Sequence, residues 1–194
     1  TTDALGFSTA GTERIRIAAN GNVGIGTSTP GAKLEVVGSS AGGETAEVVV
    51  VYDTAGTFSF TVPSGVTSIK VEAWGAGGSG GNSSSYEGGG GGAYARTDSV
   101  SVTAGNSYTV VVGLGSNTTS AGGDSYFRNT STVMAKGGQA GRSGGSGGAA
   151  SSSVGSIKYS GGNGAGYVSM YSYGGGGGSA GPDGKGTNGS TGSG

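Results

Sequence analysis

Five consecutive glycines at Gly88–Gly92, and five more at Gly174–Gly178, exclude an ordinary strand or helix over those stretches. Glycine loses more backbone entropy on ordering than any other residue and brings no side chain to pack. Two further tracts carry a period. Gly138, Gly141, Gly144 and Gly147 recur every third residue, as do Gly175, Gly178, Gly181 and Gly184, before Gly186, Gly189 and Gly192 resume in shifted phase. Three residues make one turn of polyproline II, a helix with no internal hydrogen bonds. A glycine edge would let such helices approach until N–H and C=O groups bond across them, which satisfies a backbone that has no apolar core. Glycine fills 49 of 194 positions, so open loops could also produce these spacings by chance, and the sequence leaves both readings standing. Collagen is excluded: the G-X-Y register of Gly178–Gly186 fails at Thr187, and Pro182 is its sole imino acid.

The remaining composition removes most chemistry. Ten Lys and Arg against 11 Asp and Glu leave a net charge of −1 with no basic cluster, so nucleic acid is not an expected partner. The absence of His and Cys excludes Ser-His-Asp and Cys-His nucleophiles and the usual soft metal ligands. The acidic residues are spread singly, without the paired carboxylates of acid–base catalysis. A carbohydrate-active enzyme is therefore a remote alternative, and no cofactor, metal or catalytic residue is expected. Gly75-Ala76-Gly77-Gly78-Ser79-Gly80 satisfies G-x-G-x-x-G after a strand, but the Ser- and Gly-rich residues beyond it cannot supply the helix that a dinucleotide requires. Gly181–Gly186 echoes a phosphate loop but has Gly after Lys185 where Ser or Thr is needed. The longest apolar run, Val48–Tyr52, is strand-sized, so no membrane insertion is expected. The start at TTDALG and the end at STGSG read as parts of a longer or processed polypeptide.

Residues 1–37 read as short strands over Leu5–Ser8, Glu13–Ile17, Val23–Ile25 and Lys33–Val37, with reversals at Ala10-Gly11, Asn20-Gly21 and Pro30-Gly31. In Glu13–Ile17 polar and apolar residues alternate. Ile15 and Ile17 are expected on a buried face, and Arg14 and Arg16 on one that either meets solvent or pairs with acidic groups of a neighbouring subunit. Thr12-Glu13-Arg14-Ile15-Arg16-Ile17, Gly21-Asn22-Val23-Gly24-Ile25-Gly26-Thr27, Pro30 and Lys33-Leu34-Glu35-Val36 together resemble a short module of phage tail fibres and fibrous bacterial surface proteins. The resemblance implies a trimeric, intertwined β shaft and a fibre role. Residues 38–46, small and polar, read as a linker.

Residues 47–194 then carry strand signals at Glu47–Tyr52, Thr57–Val62, Ser68–Trp74, Ala93–Ser99 and Ser107–Val112. Phe58 and Phe60, Ile69, Val71 and Ala73, and Tyr108, Val110 and Val112 recur at period two and are the expected core. The fold class is all-β: a short N-terminal module, then a small β-sandwich or jelly roll with glycine-rich, polyproline-II-like segments. FSFTVPSGVTSIKVEAWGAGG resembles the opening of glycine-rich domains of fibre-tip and other surface proteins, in which a small sandwich feeds long glycine loops. Tyr86, Tyr94, Tyr167, Tyr171 and Tyr173 lie among glycines. They are candidates for a receptor or interface surface, because tyrosine offers rigid apolar area and a hydroxyl at low entropic cost; the competing reading has them filling small cores. The expectation is an extracellular adhesive fibre on a virion or cell surface. Its expected partners are other copies of itself, as a homotrimer or helical filament, and a cell-surface glycan or outer-membrane protein. The alternative is a self-assembling bacterial filament whose subunits exchange a strand.

Overall fold

A computed structural model describes residues 4–37, 48–81, 87–141, 143–167 and 172–193. It divides into two compact units, Thr1–Val51 and Tyr52–Gly194. The stretch read as a linker, 38–46, lies outside the described residues.

The first unit is one four-stranded sheet in the order β1 (Leu5–Thr9), β2 (Thr12–Ile17), β3 (Val23–Ile25), β4 (Leu34–Val36). The first three strands are antiparallel, and β3 and β4 are parallel. Left-handed backbone at Ala10 and Gly11 (φ 51° and 73°) makes the β1–β2 reversal, as the Ala-Gly pair predicts. The register decides the character of the sheet. Leu5, Ile17, Val23 and Leu34 fall in one cross-strand row, and Phe7, Ile15, Ile25 and Val36 in the next. Directly opposed residues share a face, so eight apolar side chains form a two-by-four grid on one side. All but Val23 are exposed, from 36% for Ile15 to 63% for Leu34. The expected burial of Ile15 and Ile17 is therefore not met, at 36% and 39% exposed, and among the described residues of the unit no second layer covers them. Arg16 makes a bidentate pair with Glu13 on its own strand, at 2.6 and 2.7 Å, and Arg14 donates to the Thr9 hydroxyl at 3.1 Å.

The second unit begins as a sandwich. One sheet has the order β10 (Val133–Ala135), β9 (Ser125–Phe127), β8 (Ser107–Val112), β5 (Gly56–Thr61); the other runs β11 (Ile157–Tyr159), β7 (Tyr94–Ser101), β6 (Ser68–Trp74). A small pair, β12 (Ser172–Gly174) with β13 (Thr191–Ser193), lies apart in sequence, and a single 3-10 turn spans Ala150–Ser152. Val62, Ala73, Ala95, Val100, Phe127 and Val133 are buried between the sheets, with Phe60, Ile69, Val71, Tyr108 and Val110 packed against them. The all-β expectation holds. Of the strand expected over Glu47–Tyr52, Glu47 lies outside the described residues, and Val48–Tyr52 forms no strand and has no ladder partner among the described residues.

The sandwich strands do not end at its edge. β6 runs on into 75–81, β10 into 136–141 and β11 into 160–165, while 88–93 leads into β7 and 120–124 into β9. There the hydrogen bonding changes period. Gly88 and Gly91 donate to Ala165 and Gly162, and Gly90 and Ala93 donate to Gln139 and Lys136. Gly88 and Gly91 accept from Gly145 and Gly148, Gly89 and Gly92 from Gly177 and Ala180, and Gly90 and Ala93 from Gly78 and Gly75. Each neighbour is met every third residue, so the segment has three residues per turn and is bonded on all sides by 75–78, 136–139, 145–148, 162–165 and 177–180. This is polyproline II geometry in a packed array, and it decides between the two readings of the glycine tracts.

Candidate functional site

The central rod of the array explains the five-glycine run. A Cβ on Gly88, Gly89, Gly90, Gly91 or Gly92 would fall well inside 3.0 Å of a backbone carbonyl oxygen, those of Gly175, Gly78, Ser146, Gly178 and Gly75 respectively. A helix of three residues per turn has three edges, and a rod enclosed by neighbours needs glycine on all of them. Outer rods need it on fewer. Hence a Cβ on Gly138, Gly141 or Gly147 would meet a neighbouring rod's carbonyl oxygen, Gly90 O, Gly88 O and Gly161 O, while the positions between the first two are held by Gln139 and Ala140. A Cβ on Gly175 or Gly178 would fall 2.9 Å from Ser190 O or from the Thr187 hydroxyl respectively. Gly144 sits at a turn (φ 86°), where a Cβ would be 2.7 Å from Gly164 O. Gly181 and Gly184 are corrections to the sequence reading. They bond each other in a tight reversal between rods and have nothing within 4 Å of a Cβ, so they do not pack.

The G-x-G-x-x-G match lies in the rod 75–81. Its amides donate within the array: Gly75 to Ala93, Ala76 to Gly123, Gly78 to Gly90 and Ser79 to Ser120. Four N–H groups that a pyrophosphate would need are thus spent on neighbouring rods. Among the described residues no group of three or more acidic side chains is placed to hold a metal ion.

Of the five candidate tyrosines, Tyr86 and Tyr171 lie outside the described residues. Tyr167 and Tyr173 are exposed by 47% and 50%. They flank the connection between rods 160–165 and 175–180, which are bonded to each other at Ala165 and Gly175, so both belong to the end of the array away from the sandwich. Tyr94 does not belong with them. It opens β7, is fully buried, and stands between Trp74 and Tyr159 at ring-centroid distances of 5.2 and 6.3 Å. Sequence reasoning grouped it with the others for its glycine neighbours. Those glycines belong to the central rod, and the residue that follows such a rod enters the middle strand of a sheet.

Burial and a carboxylate also displace the Tyr94 hydroxyl's titration. Its phenol is pushed up to about 12, first by burial and next by the Glu72 carboxylate, to which its hydroxyl donates. Arg96, two residues on, pairs with Asp98 at 2.6 Å and holds that carboxyl below its ordinary value. A folded-state phenol pKa above the unfolded value of 10.0 means that the fold favours the protonated form. This contribution is complete below pH 10 and declines as pH rises toward about 12. Denaturation midpoints measured across that window should fall faster for the native chain than for Tyr94→Phe, and parallel curves would contradict the assignment.

A sandwich whose strands run on into a polyproline II array defines a class of protein built on glycine packing. Residues 53–194 match the model of the glycine-rich domain family, and the chain belongs to that family. No curated protein and no solved structure matches it.

Proposed function

We propose that this chain is a structural and adhesive extracellular fibre protein, like those of phage tail fibres, in which the first unit assembles copies and the second presents a surface for attachment. The observation that carries the reading is the apolar grid of β1–β4. Seven exposed large apolar residues on one face of a unit this small, with their polar neighbours Arg16 and Glu35 turned to the other face, are an interface without its partner. Residue-for-residue self-complementarity suits identical copies, and a three-sided bundle of such sheets would close the face off. The resemblance of residues 12–36 to a fibre module supports the same assembly. Tyr167 and Tyr173, at the far end of a stiff array, are suited to contact a cell-surface glycan or outer-membrane protein.

Sedimentation and negative-stain microscopy of the whole chain test the assembly. Elongated trimers are expected for the native sequence, and monomers with an unchanged second unit for Ile15→Lys with Ile25→Lys. A compact monomer of the native chain would defeat the proposal.

A further inference from the structure

Val48, Val49, Val50 and Val51 are four consecutive β-branched residues, the type that most favours a strand, yet they form none. Their exposures are 78, 72, 53 and 72%, and none of their backbone groups is hydrogen-bonded among the described residues. The second unit meanwhile offers a long open strand edge. Among the described residues β5 bonds β8 on one side and nothing on the other.

Exposed edges are normally blunted by charge, proline or a bulge. β6, at the edge of the other sheet, carries Lys70 and Glu72 and a register shift between Ile69 and Val71. β10 is covered by the bridge between Met134 and Val154, and β11 is three residues long with Lys158 at its centre. β5, Gly-Thr-Phe-Ser-Phe-Thr, has no charge, no proline and an unbroken register over six residues. Its inward residues Phe58 and Phe60 are only half buried, so the core stays open on that side.

We infer that Val48–Val51 of one copy adds as a strand to the free edge of β5 in a second copy. Alternate residues of β5 turn their N–H and C=O groups away from β8, and an added strand bonds them. Two of the four valines would then lie over Phe58 and Phe60 and close the core. The partner is a second copy because the chain's own route to β5 contains no hydrogen-bonded reversal between Tyr52 and Gly56. Instead the Tyr52 ring is packed against Phe58, at 5.2 Å.

The inference deepens the assembly reading and rests on it, so its test separates the two. Val50→Pro removes a ladder donor from a segment that is unpaired within the chain. It should raise the apparent dissociation constant of the assembly about a hundredfold, since each strand hydrogen bond is individually modest and several are lost together. Denaturation of the second unit in the dissociated chain should be unchanged. Assembly equal to that of the native chain would overturn the inference, while the Ile15→Lys, Ile25→Lys pair continues to report on the fibre reading by itself. The chain has no cysteine, which permits a second readout. Val49→Cys or Val50→Cys protein, mixed with Thr57→Cys, Ser59→Cys or Thr61→Cys protein and oxidised, should give mixed disulfides between different chains. Their absence from every mixture, or bonding only within a chain that carries both substitutions, would also overturn it.

Discussion

Gly91→Ala is expected to prevent folding of the unit over residues 52–194, although alanine is the smallest addition a glycine can receive. Its Cβ would overlap the carbonyl oxygen of Gly178. Overpacking a side-chain core costs about 1–3 kcal/mol because side chains can shift. Here the obstacle is backbone in a rod that bonds Gly89, Gly162 and Thr187 through its own amides and carbonyls, so relief requires parting several rods at once. A loss above ~4 kcal/mol, in the exceptional range for one substitution, would exhaust the stability of a small domain. Gly181→Ala is the matched control. Nothing lies within 4 Å of its Cβ, and an alanine that fits gains about 0.4–1 kcal/mol by restricting the unfolded chain. Urea denaturation of both variants decides the matter: equal stabilities would mean that close approach of the rods does not hold the array.

Phe127→Ala should cost about 3–5 kcal/mol, the usual range for emptying a buried phenylalanine site. Its ring is 4% exposed and meets Phe60 at 6.3 Å and Tyr108 at 5.6 Å. The more informative outcome is where the loss appears. Since 88–93 passes into β7 and 136–141 continues β10, sandwich and array should melt in one transition. Amide exchange at Gly90 and Gly91, far from Phe127 along the chain, should then accelerate with that of Val133. Unchanged protection of the glycines would mean that the array folds on its own.

The strands of the first unit were legible because each has its own turn chemistry and a period-two pattern. So was the sandwich core, from Phe60, Ile69, Val71, Tyr108 and Val110. What the sequence could not supply was the partner of each segment. Ile15 and Ile17 alternate with Arg14 and Arg16 as a half-buried strand should, but alternation says nothing about whether the covering layer lies in the same chain. Val48–Val51 reads as a strand because its residues are β-branched, and it finds no ladder among the described residues. β9 and β10 were missed because three residues show no period. Tyr94 and Gly181 were misplaced by one error: nearness to glycine in sequence does not say whether a residue enters the array or leaves it. The density of the tract does not separate them: the five glycines at 88–92 form a rod enclosed on every edge, but in the equal run at 174–178 a Cβ on Gly176 would meet only Gly89 O, at 3.7 Å.

A rod with three residues per turn also restricts how the chain can vary in length. Within 136–141, Gly138 and Gly141 face the central rod, whereas Gln139 and Ala140 point along the other two edges. One inserted residue would rotate everything beyond it by a third of a turn and drive a side chain against the carbonyl of Gly88 or Gly90. Three inserted residues restore the facing. The array can therefore grow or shrink only in whole turns, taken together by neighbouring rods.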